Sequence, residues 1–324
     1  MSINKGHDVL FPNLGIELEN LGKSISIFGF DIAFYGIIIA LGVAAGYGIA
    51  HLQAKRSEQD TELYLDFALW AIIVSVLGAR LYYVIFAWDE FRDNPLNILN
   101  LRTGGLAIYG GVIAGFLCAL IFSKVRKINF KLFIDTCTPA LLIGQAIGRW
   151  GNFFNREAFG EYYDGLFSMM LDVRDVHSDY RKPVEMLMAK FANNPRAFEK
   201  IMEIRENAVL IDGATYIKVH PTFLYESLWN FALLIIMLVY SKHKKFDGEI
   251  ALIYFTGYGL GRFWIEGLRT DQLFLWGSSV AASQLLSGLL VVTGMAIIIY
   301  NHMKLKKSPH RVKSKNRANS RKKR

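Results

Sequence analysis

Three arginines stand where an apolar chain has little use for them. Arg149 follows the run LLIGQAIG and belongs to GRWGNFFNREAFG, residues 148–160, while Arg262 and Arg269 lie in GYGLGRFWIEGLRTD, residues 257–271. An ionisable group within a membrane span is costly, so it faces the interior of a helix bundle and pairs with something. Arg149, Asn152 and Arg156 recur at spacings of three and four, which puts them on one face if the helix runs on past Gly148. Two guanidiniums and an amide on one stripe suit a phosphate, because the planar donors of arginine bind two oxygens at once. A helix end anchored at the interface is the bland alternative. Arg262, Glu266 and Arg269 follow i, i+4, i+7, so the glutamate can pair with either arginine and one positive charge is left for an anion. The alternative there is an ion-pair clamp that binds nothing.

Two further stretches carry polar groups at span mouths. In HPTFLYESLWN, Pro221 fits a helix start, with His220 just outside it and Tyr225 and Glu226 one turn in. A histidine and a carboxylate there can handle a proton; a cap in which Glu226 pairs with a neighbouring arginine is the equal alternative. In TGGLAIYGGVIAG, Tyr109 sits between glycine pairs 104–105 and 110–111, which offer a bare helix surface to another helix or a lipid. Tyr109 otherwise reads as a core aromatic. Tyr35 and Arg80 are single polar groups in apolar runs, open to packing or chemistry alike.

The elements that must hold these residues are membrane helices. The chain has 324 residues, of which 52% are hydrophobic. Seven stretches approach the roughly 20 apolar residues a bilayer crossing needs: 26–50, 65–86, 105–122, 132–148, 222–241, 249–267 and 279–300. The sixth is the most polar. Lys and Arg number 20 on one side, counting the loops 51–61, 123–131 and 242–248 with the tail, against five in the short segments opposite. That bias puts the N-terminus outside and the C-terminus in the cytoplasm. The expected fold is an all-α integral membrane protein of seven transmembrane helices, with one long external loop, 149–219, between spans four and five. The catalytic domain is residues 1–302. The loop contains a helix-like piece, PVEMLMAKFANNPRAFEKIMEIRE, and is a candidate cap or interfacial helix.

Net charge is +9, but residues 303–324 hold 11 Lys/Arg and no acid, leaving 26 bases against 28 acids elsewhere. The basicity belongs to a disordered cytoplasmic tail suited to anionic headgroups. Beside so many apolar segments it does not read as a nucleic-acid arm. The start of the chain lacks the basic n-region and cleavage site of a secretory signal, so the first apolar segment is expected to remain as a span. Cys118 and Cys137 lie in apolar runs without CxxC spacing and read as small buried hydrophobes. Glycines 257, 259 and 261 look like a nucleotide fingerprint but have no βαβ context. No cofactor and no metal are expected. Physical chemistry thus points to a site for an anionic, phosphorylated amphiphile on the outer side, without saying whether it is transformed or transported.

The motifs resemble those of the prolipoprotein diacylglyceryl transferase family. GRWGNFFNREAFG resembles its signature. FYGIIIALG, GARLYYVIF, GGLAIYGG, HPTFLYES, GRFWIEGLRTD and SQLLS appear in family order. The resemblance implies an enzyme of the bacterial plasma membrane with its active site toward the outer face. It transfers diacylglyceryl from phosphatidylglycerol to the lipobox cysteine thiol of a preprolipoprotein, forming a thioether and releasing glycerol phosphate. It also implies that Arg149, Asn152, Asn155, Glu157 and Gly160 belong to the phospholipid site, that Arg262 is needed for activity with Glu266 and Arg269 in the same motif, and that Tyr35 is functionally important. Catalytic roles are expected for Arg149, Arg262, Tyr109, Tyr35, Glu157 and His220. Phosphatidylglycerol binding falls to Arg149, Asn152, Asn155, Gly160, Arg80, Glu266 and Arg269. Some family members carry a histidine where this chain has Tyr109. A phenol is a poor base at neutral pH, so Tyr109 is expected to donate or position, with His220 the candidate substitute. The segment 161–219 is longer than the family pattern leads one to expect. The rival functions are a transporter or flippase for anionic lipids or organophosphates, and another phospholipid-dependent transferase.

Overall fold

The computed structural model describes residues 9–101, 104–192, 194–272, 274 and 281–307. Its helices are α1 (Phe34–Arg56), α2 (Glu62–Phe86), α3 (Ile108–Val125), α4 (Phe130–Asn155), α5 (Val184–Lys190), α6 (Pro195–Glu206), α7 (Thr222–Tyr240), α8 (Glu249–Leu268) and α9 (Ala282–Lys307). Six of these, α1 to α4, α7 and α9, are long and apolar enough to cross a membrane. The helix α8 has comparable length but carries Glu249, Arg262 and Glu266 within its 20 residues, and is not among the six. Flanks such as Leu77, Leu81 and Ile85 on α2 are exposed. Such surfaces are rare against water and ordinary against lipid tails. The chain is a mostly helical, multi-pass integral membrane protein.

The all-α expectation is corrected by a sheet. The strands β1 (Val9–Phe11), β2 (Ile16–Leu18), β5 (Met169–Asp172), β6 (Val209–Ile211) and β7 (Ala214–Val219) form one antiparallel sheet, in the order β2-β1-β5-β7-β6. Val9 pairs with Leu171, and Leu171 with Ile217. The hairpin of β6 and β7 turns through Asp212 and Gly213, both at positive φ, as a two-residue loop requires. A second hairpin, β3 (Ser24–Ile27) and β4 (Phe30–Ala33), replaces the start of the expected first span. Its turn is Phe28–Gly29, also at positive φ. The helix-like piece of the long loop is two helices, because Pro195 starts a new one and the Asn194 side chain accepts from Ala197 N at 3.2 Å.

The chain divides into two compact units, one of residues up to Ala45 and from Leu141 onward, the other Gly46–Ala140. In the first, the sheet and α5 and α6 enclose a core of Val9, Leu171, Leu187, Ile201, Ile204 and Ile217. Phe153, near the end of α4, and Phe223, at the start of α7, pack into the same core. Residues 156–219, together with β1 and β2, thus form a compact layer, called the cap below, packed on the end of α4 and the start of α7. In the second unit α2 and α3 touch backbone to backbone, since a Cβ on Gly110 would lie 2.4 Å from Gly78 O. Tyr64, Phe67, Phe122 and Phe133 stack beside them. The last helix continues to Lys307, into the segment expected as tail; the tail from residue 308 lies outside the described residues.

Candidate active site

The helix α4 runs through the expected boundary at 148 and ends at Asn155. Its glycines line one face against α1. A Cβ on Gly151 would stand 2.6 Å from the Tyr35 ring, and Gly144 lies against Gly42. Close packing of this kind is what small residues permit. Arg149 and Asn152 share the opposite requirement: Arg149 donates to Asn152 Oδ1 at 3.2 Å. Asn152 and Asn155 in turn both donate to Glu157 Oε1, at 3.0 and 3.1 Å. Glu157 N donates to the Asn152 carbonyl, so the chain folds back over the helix end.

Arg156 does not join this face. It lies beyond the helix with φ of 55°, buried, donating to the carbonyls of Phe154 and Leu21 and facing Asp175 at 3.4 Å. The predicted stripe of Arg149, Asn152 and Arg156 is therefore corrected. Helical spacing stops holding once the backbone turns left-handed, and Arg156 ties the cap instead.

The second group comes from α8. Arg262 pairs with Glu266 at 2.5 Å, one turn along. Arg269, just past the helix, is 3.8 Å from Glu266 and chelates Asp271 at 2.6 and 2.8 Å. What joins the two groups is Glu226 of α7. One of its oxygens accepts from Arg262, and the other faces Arg149 Nε in an ion pair. Arg269 approaches the same carboxylate at 3.9 Å. Glu226 and Glu266 are buried, and the three guanidiniums keep only 11–21% of their side-chain surface. The three helices are fixed here by side chains beyond the cluster. Trp150 donates to Ser227, which donates to Ala146 O, and Trp229 donates to Gly257 O at 2.9 Å. Gly261 gives room for the Trp229 ring, and Gly259 for the backbone of Ser287 in α9.

The expected surplus of positive charge is not present in this cluster. Three arginines meet Glu226, Glu266 and Asp271. Buried guanidiniums require partners, and one of these acids, Glu226, comes from a helix other than those of the arginines it neutralises. Glu226 was legible as a charge within the apolar run of α7, and as a possible arginine partner, but had no place among the expected site residues.

His220 stands at the cap side of α7. Its ring stacks on Tyr163 with centroids 3.9 Å apart, and Nδ1 lies 3.2 Å from the Tyr225 hydroxyl. Burial lowers its pKa and favours the neutral imidazole, against the smaller, opposite effect of the Glu161 charge. Gly160 N donates to His220 O, and a Cβ on Gly160 would lie 2.7 Å from His220 Cβ and 3.2 Å from Leu268 O. Only glycine fits where the signature strand crosses both α8's end and α7's start.

Arg80 and Tyr109 belong to the other unit. Arg80 is buried, and all five N–H groups reach carbonyls: Ile98, Asn97, Asn100, Gly104 and Gly105, at 2.6–3.1 Å. It holds the turn before α3, and no donor remains for the phosphate it was expected to bind. Tyr109 is in the first turn of α3 and 41% exposed.

Comparison with known proteins covers nearly the whole of this chain. The family model for prolipoprotein diacylglyceryl transferase matches residues 23–300. The phosphatidylglycerol–prolipoprotein diacylglyceryl transferase of Listeria innocua is 39% identical over 285 residues, covering 87% of this chain and 90% of its own. That of Clostridium novyi is 40% identical over 283 residues, with 87% and 96% covered, and that of Finegoldia magna 38% over 277, with 85% and 94%. With nearly its whole membrane-embedded length matched, the chain belongs to the prolipoprotein diacylglyceryl transferase family.

Proposed function

We infer that the chain is the transferase its family membership names, moving diacylglyceryl from phosphatidylglycerol to the lipobox cysteine of a preprolipoprotein signal peptide. The observation that carries this reading is the cluster of Arg149, Arg262 and Arg269 around Glu226, where the ends of α4 and α8 meet the start of α7. The cysteine sulfur, as thiolate, attacks the glyceryl carbon. A C–S bond forms, the C–O bond to phosphate breaks, and its electron pair leaves with glycerol phosphate. Negative charge grows on the leaving group, and fixed guanidiniums in a partly dry site stabilise it. Because the carboxylates already hold the arginines in place, little reorganisation accompanies the reaction. Asn152, Asn155, Glu157 and Gly160 shape the phospholipid side of the site, and Tyr35 buttresses α4 at Gly151. His220, kept neutral, is positioned to take the thiol proton; Tyr109 donates or positions. Arg80 acts by shaping the turn before α3.

In the membrane, α8 is the sixth of seven spans, its charges turned to the bundle by packing on α7 and α9. The Lys/Arg asymmetry sets the N-terminus, cap and active site outside the plasma membrane and the basic tail, against anionic headgroups, inside. Residues 1–302 constitute the catalytic domain.

The test is direct. Purified protein with phosphatidylglycerol and a lipobox peptide should raise the peptide's mass by one diacylglyceryl group. Arg149→Ala and Arg262→Ala should each abolish the gain while leaving folded protein in the membrane. Unchanged peptide mass with wild-type protein, or anion flux in liposomes without peptide, would overturn the assignment in favour of a transporter.

A further inference from the structure

The cap reaches into the arginine cluster through one lysine. Helix α6 buries Ala197, Ile201 and Ile204 in the cap core, which leaves Lys200 pointing from the neighbouring flank. Its ammonium donates to Gly267 O at 2.6 Å and Arg269 O at 3.2 Å, and pairs with Glu161 at 3.1 Å. An ammonium has three protons, and these three oxygens account for them. Gly267 lies in the last turn of α8, where carbonyls lack intrahelical partners and the helix dipole favours a cation. The neighbouring carbonyl, Leu268 O, accepts from Glu161 N at 2.7 Å, and the Tyr180 hydroxyl bonds Thr270 at 3.2 Å. Apart from the Lys200–Glu161 pair within the cap, these ties run from the cap to the segment that turns α8 into Arg269.

We propose that Lys200 is a positioning residue for transfer: it caps α8 and fixes the exit at which Arg269 turns back toward Glu226 and Glu266. The long segment 161–219 is thereby part of the catalytic apparatus rather than an ornament. Lys200 does not touch the lipid; it acts through the backbone of Gly267 and Arg269. This rests on the arginine cluster being the phosphate site. Without the ammonium, two carbonyls lose a charged donor, Glu161 loses its counter-ion, and the exit of α8 loosens. A displacement of about an ångström of a transition-state donor costs on the order of a hundredfold in rate.

The experiment uses full-length wild type, Lys200→Met and Lys200→Arg, assayed for transfer to a lipobox peptide in phosphatidylglycerol micelles, with melting temperature measured beside it. Lys200→Met should lower kcat roughly ten- to a hundredfold. Its KM for peptide should stay near the wild-type value and its melting temperature within a few degrees. Lys200→Arg, which keeps the charge, should restore most of the rate. Wild-type kcat in Lys200→Met overturns the proposal. So does a loss matching the loss of folded protein, a change confined to peptide KM, or failure of Lys200→Arg to exceed Lys200→Met. The two levels separate cleanly. If wild type transfers, Arg262→Ala does not, and Lys200→Met turns over like wild type, the inference alone fails. If wild type never transfers, the site reading falls and the inference with it.

Discussion

Replacing Glu226 by glutamine changes one oxygen to an amide nitrogen and nothing else in shape. In the native cluster both carboxylate oxygens are engaged, one by Arg262 and the other by Arg149. Glutamine keeps one acceptor and turns a donor toward the other guanidinium, so one charge-assisted contact is lost and a donor–donor clash replaces it. A hydrogen bond to a charged group contributes about 1.5–3 kcal/mol. If that orientation energy is expressed in the transition state, kcat/KM falls about 10- to 150-fold. The guanidiniums remain, and without the competing carboxylate they should hold an anionic headgroup at least as tightly. KM for phosphatidylglycerol should therefore stay level or fall while kcat drops. Initial rates from the mass gain of a lipobox peptide, across a series of phosphatidylglycerol fractions in micelles and at equal amounts of folded protein, read both parameters. A variant within twofold of wild-type kcat would refute the idea that Glu226 orients the arginines for chemistry. A raised lipid KM with unchanged kcat would show that it serves binding only.

Other consequences are open to simple measurement. Gly160→Ala drives a Cβ to 2.7 Å from His220 Cβ and 3.2 Å from the Leu268 carbonyl, so it should cost about 1–3 kcal/mol of stability; a melting temperature equal to wild type would contradict that packing. Tyr109→Phe should lower transfer roughly tenfold if the hydroxyl bonds a charged reacting group, and undiminished activity excludes the hydroxyl from the reaction. Burial alone would raise the Asp179 pKa, but bonds from Lys190 and Lys182 and the charge of His177 bring it below the ordinary carboxylate value. Its contribution to stability is thus fully present above about pH 4 and lost as pH falls through the lowered folded value. Hydrogen exchange across residues 178–190 should accelerate between pH 4 and more acidic solution; protection unchanged with acidification would count against the Asp179 network as a tie of the cap.

The membrane helices and the two polar motifs were legible because each is a local contrast. An apolar run of the right length marks a span, and an arginine within it marks a place where a partner must meet it. The cap sheet was not legible in the same way, since β1 pairs with β5 some 160 residues away and strands of three to six residues carry almost no period-2 signal. Only the Asp212–Gly213 turn advertised a hairpin locally. Two cations show what else the sequence conceals. Arg80 looked free because no acid lies near it in sequence, yet five backbone carbonyls satisfy it. Lys200 drew no notice in the sequence, yet two carbonyls at the end of α8 hold it. Carbonyl acceptors have no letter of their own, so a sequence displays the donor and conceals the partner. A buried cation without a nearby acid therefore has two physical explanations, a ligand or a segment whose carbonyls lack partners. Helix ends and irregular turns are where such carbonyls accumulate. By that criterion Arg80, before the turn that precedes α3, and Lys200, opposite the end of α8, are cations that hold backbone. Arg149, Arg262 and Arg269, which meet side-chain carboxylates where three helix ends join, are the ones the proposed function assigns to the lipid.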